Sequence, residues 1–509
     1  MAGISALSRR AFLATASATA LALPATAKPL ARRAPLPRAP LPRAPSHNAW
    51  AELARRLRGP VVRPWDPDYY RLALPDNLRY ATTLPEGIAR CMSDEDVAAA
   101  IGWSRENEIP LITRSGGHSY AGYSTTTGLM IDMKLMHRIA FDGASGIVTL
   151  AGGAINDHVY EALAANNVTI THGRCPSVGA AAFLLGGGIG FNMREYGLAC
   201  DQVVATRLVK ADGGLVEMKR GDNDPFRREL FWACQGGGGG NFGISTSFSM
   251  KTIPVAPGDI TVFKIQWTSR PEEVAAALMR TLEGAPSKLG SRVSLGAVTP
   301  EQLRAGKDVT VNLLGQYKGP EAEFLDIMKP VYAVAAPDNA AIEEMPYWEA
   351  QETFLAEPPD PTFYQERSAF MVDRISDAAI KAGFRHLREW PGTTGYCDLR
   401  FFQTGDAVNN VGPTDTAFVH RGNQWLMVVG LYWGCADDFN KRKMAANHAW
   451  QNDFYRAMLP YCGGGAYQNF PDPSLLDWRR SYYGENLKRL VDIKTAVDPT
   501  RVFNFPQAI

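Results

Sequence analysis

Arg114-Ser115-Gly116-Gly117-His118-Ser119-Tyr120 is the stretch on which the reading of this 509-residue chain turns. The apolar run Pro110-Leu111-Ile112-Thr113 before it reads as a short buried strand, so the paired glycines fall where a strand turns. Consecutive glycines there let backbone N–H groups approach an anion such as phosphate closely. Two more glycine clusters follow. Cys175-Pro176-Ser177-Val178-Gly179 leads to Gly186-Gly187-Gly188-Ile189-Gly190. Phe231-Trp232-Ala233-Cys234-Gln235 opens onto five glycines, Gly236 to Gly240, and then Asn241-Phe242-Gly243. Any one of these alone reads as a flexible loop. A Rossmann fingerprint is excluded at Gly188-Ile189-Gly190. The third glycine is missing, Arg194 stands where the helix should start, and no acidic residue follows a strand at the required distance.

Outward from these clusters the chain alternates short strands, helices and turns from about residue 68 to 254. Asp94–Asn107 is predicted as an amphipathic helix with an acidic first turn and Val97, Ile101 and Ser104 on its inner face. Gly128–Asp132 and Gly146–Leu150 read as strands. Val203–Lys210 and Leu215–Met218, joined through Asp212-Gly213-Gly214, read as a hairpin. After Pro254 the pattern changes. Strands at Ile260–Trp267, Val309–Tyr317 and Trp425–Trp433 alternate with helices at Glu272–Leu282 and Pro320–Met328, which predicts a sheet with helices on one side. The tail is read as helix over Arg489–Val497, ending in an aromatic strand-like stretch.

Hydrophobic residues at 46% and charged residues at 21% describe a globular protein with a large core. The formal charge of +1 argues against a nucleic-acid binder and against an acidic disordered chain. That balance hides an asymmetry. Residues 1–45 hold seven basic residues and no acidic one, which leaves 46 basic against 52 acidic residues in the rest, near −6. Ser8-Arg9-Arg10-Ala11-Phe12-Leu13, a mildly apolar run and Ala25-Thr26-Ala27 resemble a twin-arginine (Tat) signal peptide over 1–27. The run is too short to span a membrane, so no stable membrane insertion is expected. Export to the periplasm or beyond is expected, with the Tat machinery as a partner. The near-repeat Ala34-Pro35-Leu36-Pro37-Arg38 and Ala39-Pro40-Leu41-Pro42-Arg43 places an extended proline-rich linker over 28–64. Seven cysteines show no metal-type spacing, and no metal is expected. Their odd number leaves at least one free, chemically used, or paired between chains.

Taken together, the order and spacing of the three glycine clusters, with one histidine in the first and one cysteine in the second, resemble the berberine bridge enzyme-like FAD-linked oxidoreductases of the vanillyl-alcohol-oxidase superfamily. The block Gly173 to Asp201 is similar to that family's G-x-C-P-x-V-G…L-G-G-G-x-G…R-x-Y-G-L-x-x-D. The tail Tyr482-Tyr483-Gly484-Glu485-Asn486-Leu487, with Ile493-Lys494, Asp498-Pro499 and Val502-Phe503, is similar to its C-terminal signature. The resemblance covers about residues 65–509 and is nearest in style to secreted oxidases of sugars and of glycosylated metabolites. It implies an α+β fold of three parts. These are a two-lobed PCMH-type FAD-binding domain (65–255), a substrate domain with an antiparallel sheet covered by helices (256–460), and a C-terminal segment (461–509) that returns to complete the FAD site.

Residue by residue, the resemblance implies bicovalent FAD, joined through His118 and Cys175. Imidazole nitrogen and thiolate are the side-chain nucleophiles suited to an electron-poor flavin ring. It implies pyrophosphate contacts from Arg114, Ser115, Gly116, Gly117 and Ser119. Close chain approach is implied at Gly179, Gly187, Gly188 and Gly190, closure of the domain at Gly240, Asn241 and Gly243, and flavin contacts from Tyr483 and Asn486. Val178 stands where relatives leave room for oxygen. Tyr467, in Tyr467-Gln468-Asn469-Phe470-Pro471-Asp472, is implied as the base taking a substrate hydroxyl proton, with a lowered pKa required. The second acid-base residue of relatives is not matched at Gln403-Thr404-Gly405-Asp406, which leaves Tyr432 and Gln403 as candidates. The resulting expectation is an oxidase that removes hydride from a hydroxyl-bearing carbon of a carbohydrate or secondary metabolite and passes electrons to O2. The alternative is a dehydrogenase with another acceptor. A protein that merely retains FAD is a third reading.

Overall fold

The computed structural model describes residues 46–255, 258–354 and 362–509. The stretch expected to be a signal peptide and the proline repeat lie outside them. Ser93 has an extended backbone and accepts the Asp96 amide on its hydroxyl, which starts the helix Asp94–Glu106. Val97, Ile101 and Ser104 are buried along it. The strand Leu111–Arg114 follows and pairs in parallel with Leu129–Asp132. That strand pairs in parallel with Gly87–Arg90, and Val61–Val62 closes the edge antiparallel. These four strands form the first lobe. Here the expected linker is corrected. The chain is already helical from His47 to Arg56, and Trp50, Leu53 and Leu57 enter the core beside Trp103. Their i, i+3, i+7 spacing supplies an apolar stripe that the prolines upstream overshadow.

The second lobe is a five-strand antiparallel sheet in the order Ile139–Asp142, Ile147–Ala151, Ile244–Lys251, Val203–Val209 and Leu215–Lys219. Its core takes in Trp478, Tyr482, Tyr483, Leu490, Ile493 and Val497, so the C-terminal segment packs back into this lobe.

The third layer is a seven-strand antiparallel sheet in the order Asn339–Pro346, Asp259–Trp267, Thr310–Lys318, Leu289–Gly296, Cys397–Gln403, Trp425–Trp433 and Phe363–Met371. Helices Pro271–Glu283, Glu321–Tyr332, Asp377–Arg388 and Lys441–Met458 pack on one face. The period-2 rule sorts the residues. Leu399, Phe401, Met427, Val429 and Leu431 enter the core under the helices. Asp398, Arg400, Phe402, Tyr432, Tyr364 and Glu366 therefore turn to the opposite face. The fold is α+β, as expected. Four of the seven strands and the long helix Lys441–Met458 are not singled out by sequence pattern. The expected strand at the end of the tail is absent: after the helix Leu487–Val497 the chain runs out in turns.

Candidate functional site

The turn after Leu111–Arg114 is built by two glycines, one pressed against other backbone and one in the left-handed region. A Cβ on Gly116 would lie 2.3 Å from the Gly179 amide nitrogen, and Gly117 has φ +91°. This contact brings the first glycine cluster against the second. A cavity of about 750 Å³ opens there, bounded by both lobes and by the polar face of the seven-strand sheet. Its wall includes His118, Cys175, Tyr467 and Tyr483. Ser115 through Ser119, Val178, Gly179, Gly190, Gly240, Asn241 and Gly243 also contribute. The structure thus gathers on one wall residues from the three glycine clusters and from the C-terminal segment.

Four expected contacts do not line it. The Arg114 guanidinium is spent on the carbonyls of Leu72, Ala73, Leu74 and Ser124, so it braces the turn from behind. Asn486 donates to the carbonyls of Pro413, Thr416 and Ala417. Gly187 faces the Phe418 ring, and Gly188 packs on Ala199 and Phe183.

Charge and hydrogen bonding orient the site. His118 Nε2 lies 2.8 Å from Ser177 Oγ, and its Nδ1 lies 3.4 Å from Asp76 Oδ2. The Tyr364 hydroxyl donates to the same Asp76 oxygen at 3.0 Å. Burial pushes the Asp76 carboxyl up, but the His118 and Tyr364 contacts outweigh it and hold the group below the usual range. Burial raises the Cys175 thiol, with Arg174 pulling against it. The Tyr467 hydroxyl accepts from the Gly188 amide at 3.0 Å and from Asn469 Nδ2 at 3.2 Å. Burial nonetheless drives its pKa well up.

On the sheet side lies a network of which the sequence marks only Tyr432. Arg400 Nε donates to Asp398 at 2.9 Å, and its Nη2 pairs with Glu366. The Tyr432 hydroxyl donates to Glu366 and lies 3.2 Å from Arg400 Nη2. Burial raises both Tyr432 and Asp398, with Arg400 opposing the rise. Glu366 sits mid-strand and shows no motif, so only its even-numbered position opposite the helices marks it. Gln403 is spent elsewhere: it accepts from Ser291 and donates to the Leu282 carbonyl. Of the three tryptophans considered for ring stacking, Trp433 lines the cavity, Trp425 is core, and Trp348 stacks on His172.

The residues present fit an FAD. The Ser124 and Ser245 hydroxyls and the Gln468 and Gln507 carbonyl oxygens are buried without partners, and all four residues line the cavity. Buried polar atoms left unmatched by the protein point to a polar ligand. The glycine cradle leaves room for one at the turn.

Known proteins agree. Residues 85–219 match the FAD binding domain family, and residues 466–509 match the berberine and berberine like family. The FAD-linked oxidoreductase YgaK of Bacillus subtilis is 32% identical over 464 residues, 89% of this chain and 97% of its own. The xylooligosaccharide oxidase of Thermothelomyces thermophilus is 28% identical over 525 residues, covering 97% and 98%. Among solved structures, the wild-type berberine bridge enzyme-like 1 protein of Physcomitrella patens superposes with TM-score 0.79 at 25% identity, over 90% of this chain and 98% of its own. Berberine bridge enzyme from Eschscholzia californica shares the fold at TM-score 0.80 and 23% identity, over 91% and 98%. Near full-length likeness to YgaK, reinforced by both family matches, makes this chain a member of the berberine bridge enzyme-like FAD-linked oxidoreductases.

Proposed function

We propose that this protein is an exported oxidase, carrying FAD bound covalently through His118 and Cys175, that oxidises a hydroxyl-bearing carbon of a carbohydrate or hydroxylated metabolite. The observation that carries this reading is the single cavity walled on one side by His118 and Cys175 and on the other by Tyr432 and Arg400. FAD held there supplies a hydride acceptor that returns its electrons to O2, giving hydrogen peroxide. The protein's own work is to orient the substrate and remove its hydroxyl proton. Of the tyrosines lining the cavity, two are candidates for the base. Tyr467 receives two hydrogen bonds that favour its ionised form, but no carboxylate or cation touches its hydroxyl. Tyr432 is better equipped. It takes the substrate proton as its own passes to Glu366, and Arg400 offsets the negative charge. In this assignment Tyr467 positions the substrate and Tyr432 with Glu366 moves its proton. Val178, on the cavity wall, leaves space for oxygen.

A substrate panel read by peroxide release tests the activity, and anaerobic reduction followed by air tests the acceptor. Rapid reoxidation is expected, whereas slow reoxidation would assign the chain to the dehydrogenases. Tyr432→Phe and Glu366→Gln should slow flavin reduction by roughly 10²-fold or more, with little change in KM. A larger loss in Tyr467→Phe would return the base to Tyr467.

A further inference from the structure

The carboxylates around the cavity are unevenly shared among its arginines. Arg400 is satisfied, with Asp398 on Nε and Glu366 on Nη2. Arg174 and Arg292 also line the cavity. Among the described residues neither forms an ion pair or a side-chain hydrogen bond, and Arg292 Nε is buried with no partner. The one aromatic contact of Arg174 is the Phe191 ring at 5.2 Å. Strand register sets Arg292 beside Arg400. Arg292 pairs with Phe402 and Ser294 with Arg400, which makes the two arginines diagonal neighbours on one sheet face.

Burial lowers the pKa of Arg174 and Arg292, and repulsion from neighbouring guanidiniums adds to it, taking Arg292 to about 10. Both still carry full charge at neutral pH. Both side chains are partly shielded from water; unmatched cations there are costly, and an anion arriving between them relieves that cost. The planar guanidinium fork suits a carboxylate in particular. Beside them, Tyr396 and Tyr432 stack with ring centroids 4.2 Å apart, and Tyr396 is 53% exposed at the cavity mouth. That is a platform for a ring.

We propose that Arg174 and Arg292 form a carboxylate-binding pair, and that the substrate is a hydroxylated ring compound bearing a carboxylate, of the sugar-acid kind. This rests on the oxidation of a hydroxyl-bearing carbon proposed above and narrows its substrate class. Charge summed along the chain does not show how arginines and carboxylates are shared out inside the site.

The test uses the holoenzyme and matched pairs: D-galacturonate and D-glucuronate, each with its neutral methyl ester. Initial rates give kcat and KM. Calorimetric titration of the dithionite-reduced holoenzyme, which does not turn over, gives binding alone. The acids should show kcat/KM at least tenfold above their esters and should bind the reduced enzyme more tightly. Arg292→Gln should raise KM for the acids tenfold or more, keep kcat within about threefold, and leave the esters unchanged. Arg292→Lys should restore part of the acid preference, and retained flavin absorbance shows that each variant has folded. Equal or better use of the esters, or variants that lose acid and ester alike, overturns the proposal while oxidation of a hydroxyl-bearing carbon stands. Arg292-dependent acid binding without any turnover leaves the carboxylate site standing and removes the oxidation. No turnover and no acid preference in binding would remove both.

Discussion

His118 and Cys175 come to the same cavity from different clusters, and their surroundings differ in kind. The histidine is held at both nitrogens, by Ser177 and by an Asp76 carboxylate kept ionised. The cysteine thiol is pushed up by burial, with Arg174 the first group pulling the other way. Imidazole is therefore pre-aimed, while the thiol depends on the neighbouring guanidinium for its thiolate. The prediction at this scale concerns flavin retention. Acid-precipitated protein should stay yellow. His118→Ala and Cys175→Ala should each keep the colour in the pellet, and only the double variant should release FAD. Colourless wild-type pellets would refute the covalent links. Motif reading found these two residues because their chemistry requires those side chains. It was less informative for Arg114 and Asn486, whose donors all go to backbone carbonyls. A motif reports that a side chain is needed, not which way it faces.

At the scale of elements, the C-terminal helix Leu487–Val497 shows how the tail is tied down. The Lys494 ammonium is buried and donates to the Asn241 carbonyl at 2.6 Å, to Asp498 at 2.7 Å and to the Phe503 carbonyl at 2.7 Å. Asp498 in turn accepts the amides of Val502 and Phe503, and Asn241 Oδ1 accepts the amide of Ile509. The lysine therefore joins the last glycine cluster to the end of the chain. The helix was readable from its apolar spacing, but this knot was not, because it links residues 253 positions apart. Lys494→Met should cost about 3–5 kcal/mol, since it leaves Asp498 buried without its cation. Denaturant melts of the holoprotein measure this. A loss under 1 kcal/mol would mean the pair is not structurally important. Arg194 plays a similar joining part: its guanidinium donates to the carbonyls of Ala285, Pro286 and Leu289, which ends the substrate-side helix Pro271–Glu283 against the FAD-side chain.

For the whole molecule, the consequence is a dependence of stability on pH. Burial lowers His172 to about 4 and His420 to about 3. Both are neutral in the fold, whereas in the unfolded chain they take up protons below an ordinary pKa of about 6.5. The stability they confer is therefore complete above that value and declines as pH falls through the window toward 4. Between pH 6.5 and 4.5 the loss should be roughly 2–3 kcal/mol per histidine. His420→Gln should flatten the fall. Asp437, with a pKa lowered to about 2, contributes its own loss only under stronger acid, so the two effects separate. A stability that is flat from pH 7 to 4.5 would contradict the burial of these rings.

The sequence by itself determined the family, the cofactor class, the alternating lobes around the glycine clusters and the two residues expected to hold the flavin. These are local facts. A glycine turn after a strand, a histidine within it and a cysteine beside a proline declare themselves within a few residues. Tertiary structure alone decided the face of the seven-strand sheet that meets the flavin side. Glu366, Asp398, Arg400, Tyr432 and Arg292 come from four strands, and all but Tyr432 look like ordinary polar residues in their own stretches. Antiparallel register brings them together, and the helices on the other face force them toward the cavity. Charge summed along the chain is blind to that convergence. A chain of nearly balanced charge can therefore hold a pocket in which two arginines have no carboxylate of their own.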